Sequence, residues 1–358
     1  TFTVYPPEDC NNGLDDDMDG LTDLFDTDCN ASCSDIASIP MPSTFTEAYS
    51  VPSYTSTTIV MADIDGDNDI EVATLVGGNS SVRIYDALTA TLEQTITIST
   101  LGIGNTTNMA VGNVDSDSEL ELILNKDYYG RPAAYNHDGT LLWQASSADA
   151  SVNGGQQGFG PYGIADFDQD GNAEVYNGSA IWNGQTGALI VRSLDGTGSI
   201  GSGQFRNVRA VAADVLPDSA CANCAGLELV AGRSVYALDI SGAGITEERD
   251  LSDHGFSDGP PVLVDWNADG NLDLVMVDTV KNLVVWDILN DVVLASTNIG
   301  GGSRGAISIL PAVGDIDGDG ALEIALGNVT ALQVYETDLS TKWSMGLLDN
   351  HNAINPLL

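Results

Sequence analysis

Basic residues are scarce. The 358-residue chain has 11 Lys and Arg against 52 Asp and Glu, a formal net charge of −41. So few cations cannot neutralise a phosphate backbone, which excludes a nucleic-acid partner. The same imbalance argues against anionic membrane surfaces. No apolar run approaches the roughly 18 residues of a membrane-crossing helix, so no membrane insertion is expected. No segment shows helical periodicity. No secretory leader is visible and residue 1 is Thr, so a processed form is expected. Histidine is nearly absent. His137, His254 and His351 stand far apart without a nucleophile motif, so a Ser-His-Asp site has no support. Gly196-x-Gly198-x-x-Gly201 fits a dinucleotide fingerprint by letters alone, with no helix after it. Carboxylates are too numerous for any pair to mark a glycosidase couple. The expectation is that this is not an enzyme.

Cysteines are few: Cys10, Cys29, Cys33, Cys221 and Cys224. All lie outside the repeated strands, which suits disulfides in an oxidising compartment better than catalytic thiols. Zinc is the runner-up at Cys221-x-x-Cys224, but no second Cys or His pair stands nearby. The expected bridges are Cys10–Cys29 and Cys221–Cys224, which leaves Cys33; Cys29–Cys33 is the rival of the first.

What the chain has in plenty is apolar residues, 43% of the total, and aspartate gathered in loops. Six times an apolar strand runs into an acidic loop and then into a second apolar strand. The loops read DIDGDNDIE from Asp63, NVDSDSELE from Asn113, DFDQDGNAE from Asp166, DWNADGNLD from Asp265 and DIDGDGALE from Asp315, with a damaged version from Asp214. Starts about 50 residues apart mean a repeat architecture. A third strand ends in an aromatic residue, namely Tyr85, Tyr135, Trp182, Tyr236, Trp286 and Tyr335. These aromatics are expected to pack between units. A turn and a fourth strand complete each unit. Four short antiparallel strands per repeat describe a propeller blade. The fold class is all-β, a propeller of six blades, or seven if the terminal segments complete another. The expected domains are an acidic N-terminal arm, 1–34, and the propeller, 35–358.

The loop pattern D-x-D/N-x-D-G-x-x-D/E is calcium chemistry. Calcium is a hard cation that takes six to eight oxygens. Positions 1, 3, 5 and 9 offer side-chain oxygens, position 7 a backbone carbonyl, and position 6 a residue that tolerates a tight turn. The first loop uses Asp63, Asp65, Asp67, the carbonyl of Asp69 and Glu71, with Asn68 at the turn. The second uses Asn113, Asp115, Asp117, the carbonyl of Glu119 and Glu121, with Ser118 at the turn, and should bind more weakly. The third uses Asp166, Asp168, Asp170, the carbonyl of Asn172 and Glu174. The fifth uses Asp265, Asn267, Asp269, the carbonyl of Asn271 and Asp273. The sixth uses Asp315, Asp317, Asp319, the carbonyl of Ala321 and Glu323. The fourth has Leu216 at position 3 and a six-residue insertion before Glu228, so full coordination is not expected there.

These loops, set between two strands at this period, resemble the FG-GAP/VCBS repeats of extracellular β-propellers, such as integrin α-subunit heads and bacterial secreted proteins. The resemblance covers about residues 55–345. It implies a propeller with calcium in the loops, and it implies no single activity. Near the N-terminus, Asp15, Asp17, Asp19, Gly20, the carbonyl of Leu21, Asp23 and Asp26 fit positions 1, 3, 5, 6, 7, 9 and 12 of an EF-hand-type loop. That stretch looks like the Cys-bracketed metal-binding motif of bacterial surface proteins, with Cys10 and Cys29 tying its ends.

Asn30, Asn79, Asn105, Asn177 and Asn328 head N-x-Ser/Thr sequons, each expected in a loop or strand edge within reach of a glycan. The functional expectation is a secreted, calcium-stabilised structural or adhesive surface protein. Its partners would be further copies of itself, another surface protein or a glycan, with self-association through the N-terminal arm. The alternative is a carbohydrate-binding or polysaccharide-processing module.

Overall fold

The structure is a computed structural model that describes residues 59–76, 81–98, 109–115, 117–125, 130–146, 157–158, 161–192, 199–200, 205–300, 309–327 and 331–346. All the described strands belong to one compact unit.

Six four-stranded antiparallel sheets follow one another along the chain, each with its strands in sequence order. Blade 1 is Ile59–Ala62, Glu71–Val76, Ser81–Asp86 and Leu92–Thr97. Blade 2 is Met109–Gly112, Glu121–Asn125, Pro132–Tyr135 and Leu141–Gln144. Blade 3 is Gly163–Ala165, Glu174–Asn177, Ala180–Asn183 and Leu189–Arg192. Blade 4 is Ala210–Ala213, Glu228–Ala231, Ser234–Asp239 and Gly244–Asp250. Blade 5 is Val262–Val264, Asp273–Val277, Asn282–Asp287 and Val292–Asn298. Blade 6 is Ala312–Gly314, Glu323–Gly327, Ala331–Tyr335 and Thr341–Gly346. This is a six-bladed β-propeller. The first strands of blades 1 to 4 neighbour one another in turn, which makes the first strand of a blade the inner one.

The core lies between blades. Second strands are apolar on both faces because each face meets a different neighbour. In blade 2, Leu122 and Leu124 pack with blade 1, while Ile123 packs with blade 3. In blade 5, Leu274 and Met276 pack with blade 4, while Val275 and Val277 pack with blade 6. The period-2 alternation of a strand thus assigns neighbours as well as faces.

The third-strand aromatics behave as expected and add a feature. All six are buried. Tyr135, Trp182, Tyr236, Trp286 and Tyr335 each join the core shared with the preceding blade. In every blade the pairing of third and fourth strands slips by one residue immediately before the aromatic, as at Ile84/Tyr85 and Val285/Trp286. A bulge bends its strand and re-aims the next side chain. Here it turns the ring into the seam between blades.

Among the described residues, two elements lie outside the repeat scheme. A three-stranded sheet joins Gln157–Gly158, Ser199–Ile200 and Phe205–Val208, with one parallel pairing. A 3₁₀ turn, Leu251–His254, links blades 4 and 5, capped by Asp250 and ended by Gly255 in a left-handed conformation.

Candidate metal centres

Each acidic loop connects the first two strands of its blade. The residue before position 1 pairs directly with position 9: Ala62 with Glu71, Gly112 with Glu121, Ala165 with Glu174, Ala213 with Glu228, Val264 with Asp273 and Gly314 with Glu323. The register places the position-9 acid at the mouth of the hairpin, with its side chain inside. All six of these acids are buried.

An apolar residue at position 2 explains the burial. Ile64, Val114, Phe167, Val215 and Trp266 are buried in the core below the loop. Their N–H groups turn back to the buried acid. Ile64 donates to Glu71 at 2.6 Å, Val114 to Glu121 at 2.8 Å, Phe167 to Glu174 at 3.1 Å and Trp266 to Asp273 at 2.9 Å. These bonds use one oxygen. The other oxygen of Glu121, Oε1, is buried and has no hydrogen-bond partner. Oδ1 of Asp65 is in the same condition. A buried polar atom without a partner costs about 1–3 kcal/mol and calls for an explanation.

The upper part of the loop is fixed by position 1. Asp63 accepts from the N–H of Gly66 and Asn68, Asp166 from Asp170 and Gly171, and Asp265 from Asp269 and Gly270. Within its own loop, Asp315 accepts from Gly318, Asp319 and Gly320. Position 6 takes positive φ throughout these four, 75° at Asn68, 91° at Gly171, 88° at Gly270 and 89° at Gly320. The tight turn gathers carboxylates. Oxygens of Asp63, Asp65 and Glu71 lie within 4.8 Å of one another, as do those of Asp115, Asp117 and Glu121, and of Asp166, Asp168 and Glu174.

Such crowding disfavours ionisation. Burial, followed by the charges of Asp115 and Asp117, pushes Glu121 up to about 7. Burial, followed by Asp168, Asp166 and Asp170, pushes Glu174 up to about 7. Burial raises Glu71 as well, with Asp65 adding to it. A divalent cation reverses this logic, because it is itself the largest charge in the site. The donors are all oxygen, so a hard cation fits and a thiophilic one does not.

Residues 265–326, from the fifth loop through the sixth hairpin, match the FG-GAP-like repeat family. The chain carries an FG-GAP-like repeat. The other hairpins repeat its strand pairing, each with a buried acid at position 9. No curated protein sequence matches the chain. Among solved structures, it is similar to the Vibrio cholerae biofilm matrix protein Bap1 at 13% identity and a TM-score of 0.40, covering 80% of this chain and 61% of that one. It is similar to BamB from Moraxella catarrhalis at 11% and 0.47, covering 79% and 75%. It is similar to an Agrocybe aegerita lectin, solved for its recognition of non-reducing terminal N-acetylglucosamine, at 14% and 0.43, covering 83% and 81%. None of the three bears on what this chain binds.

The acidic loops do not gather every predicted ligand alike. Carboxylates at positions 1, 3 and 9 converge in blades 1 and 3, whereas in blade 2, where position 1 is Asn113, those at 3, 5 and 9 do. The amide of Asn113 donates to the carbonyl of Asp117. Position 5 mainly closes the turn. Asp67, Asp170, Asp269 and Asp319 accept the N–H at position 7, from Asp69, Asn172, Asn271 and Ala321, at 2.8–2.9 Å. In blade 2, Asp117 accepts from Glu119 at 3.1 Å. In blade 5, Asn267 accepts from Asp269 at 2.9 Å beside buried Asp273.

The fourth loop departs as expected. Leu216 is buried where position 3 should offer a ligand. Glu228 accepts from both Val215 and Leu216, at 2.9 and 3.0 Å. The Cys221–Cys224 disulfide is formed. One expectation is corrected. Asn177 is fully buried, because it ends a central strand and pairs with Ala180 across a two-residue turn, so no glycan can reach it. Asn30, Asn79, Asn105 and Asn328 lie outside the described residues, as do Cys10, Cys29, Cys33, Asp15, Asp17, Asp19, Leu21, Asp23 and Asp26. The role of position 2 was missed from sequence, although the signal is visible: every acidic loop holds one apolar residue there.

Proposed function

We propose that this chain is a non-enzymatic, calcium-stabilised propeller that serves outside the cell as a structural or adhesive surface protein. One observation carries the calcium reading. Glu121 is wholly buried and one of its oxygens has no partner, in a site where oxygens of Glu121, Asp115 and Asp117 lie within 4.8 Å of one another. A hard divalent cation supplies what that oxygen lacks. The ion would sit where two strands of one blade join and would clamp the hairpin. A disulfide between Cys221 and Cys224 supports an oxidising compartment.

Self-association through the acidic arm is part of the same reading. Thr1–Tyr5 alternates polar and apolar residues like a strand, and a strand can add to a neighbour's open edge. Head-to-tail use of such a contact builds a filament. Two measurements test the proposal. Calcium retained after gel filtration, together with a lower melting temperature in chelator, is expected; an unchanged melt sinks the calcium reading. Deletion of residues 1–8 should leave a folded protein that no longer self-associates, and unaltered assembly removes the arm from the account.

A further inference from the structure

We propose that the Cys221–Cys224 disulfide of blade 4 sets the cation affinity of the acidic loop of blade 3, through the peptide contact between Leu227 and Phe167. The inference rests on the calcium reading above.

The position-2 peptide serves two blades. In blade 3 the N–H of Phe167 donates to Glu174 of its own site, while its C=O accepts from Leu227 of blade 4 at 3.0 Å. Blades 1 and 2 use the same link, with Ile64 donating to Glu71 and accepting from Leu120 at 2.9 Å. Phe167 stands in sequence between Asp166 and Asp168, two carboxylates of the blade 3 group. A shift of its carbonyl therefore moves both.

The two links differ in what holds the donor. Leu120 sits in a loop that gathers its own carboxylates, so an ion there would fix it. Leu227 follows the insertion in blade 4, where Leu216 replaces a ligand and no three carboxylates converge among the described residues. The bridge takes that place. Cys224 is fully buried in the core with Leu216 and Trp286, and Cys221 packs against the same core. Two residues after Cys224, Gly226 lies against the Phe167 carbonyl at φ 105°, so close that a Cβ would collide with the oxygen. The segment is thus pinned at the disulfide and at the blade 3 loop. Reduction by an external dithiol, which itself becomes a disulfide, adds two electrons and two protons and leaves two thiols. The pin is then released and the segment regains backbone freedom.

The test follows amide exchange in full-length protein during a calcium titration. Hairpin 163–177 reports blade 3, and hairpin 59–76 serves as the internal control. In Cys221→Ser/Cys224→Ser the calcium midpoint for protecting 163–177 should rise roughly fivefold, the equivalent of one ordinary hydrogen bond, with 59–76 unchanged. Gly226→Ala keeps the bridge and presses a methyl group on the Phe167 carbonyl; it should shift the same midpoint in the same direction. Equal midpoints in wild type and both variants overturn the proposal. A wild-type protein that gains no protection from calcium in either hairpin overturns the calcium reading, and the proposal with it.

Discussion

The backbone N–H of Val114 donates to one oxygen of Glu121 at 2.8 Å and leaves the other oxygen of that buried carboxylate without a partner. The half-used acid is the point at which fold and chemistry meet. Its position is set by strand register, and its unspent oxygen by the acidic loop above it.

Replacing this carboxylate should have opposite effects in two buffers. Glu121→Gln keeps an acceptor for Val114 but removes the charge. In chelator the variant should be at least as stable as wild type, because a costly buried charge is gone. In calcium at a hundredfold excess over the dissociation constant it should lose roughly 2.7 kcal/mol, the stabilisation one ion supplies. Paired melts in the two buffers check this; the same sign in both contradicts it.

The loops should not be equally sensitive at position 1. Asp166→Ala removes an acceptor for two backbone N–H groups and a carboxylate of the metal group. A loss of about 2–4 kcal/mol in calcium is expected. Asp214→Ala acts in the loop that lacks a ligand set and should stay within about 0.5 kcal/mol. Urea midpoints of the two variants would decide, and equal losses would contradict the assignment.

Glu228 gives a pH signature independent of metal. Burial pushes its carboxyl from the ordinary 4.5 up to about 6. The folded protein therefore binds more protons than the unfolded chain between these values. Stability falls as pH rises from about 4.5 to about 6, and the penalty stays constant above that. Its size is no more than about 2 kcal/mol. The difference in melting temperature between Glu228→Gln and wild type should grow over this window in the variant's favour and then level off. A difference that does not vary with pH would refute the shift.

Gly163 has no room for a side chain. It pairs with Tyr176, and a Cβ would collide with that ring. The Tyr176 hydroxyl accepts from the N–H of Ala212 in blade 4. Gly163→Ala should push the ring aside, break the tie between blades and cost about 1–3 kcal/mol. Chemical denaturation with calcium in excess checks it; full stability would show that the seam can yield.

Sequence alone determined the repeat. Spacing announced six repeats and left open a seventh blade, and the acids at positions 1, 3 and 9 announced converging carboxylates, because a tight turn brings together residues less than ten apart. The positive φ at Asn68 was legible for the same local reason. Tertiary structure decided what depends on neighbours distant in the chain. It gave Leu122 to blade 1 and Ile123 to blade 3, joined Trp143 to the Gly184 carbonyl 41 residues away, and linked Leu227 to Phe167. It also buried Asn177, which a sequon read by its letters places at the surface. Loop chemistry is local and repeats with the sequence. Packing between blades depends on which faces meet, and no single repeat contains that information.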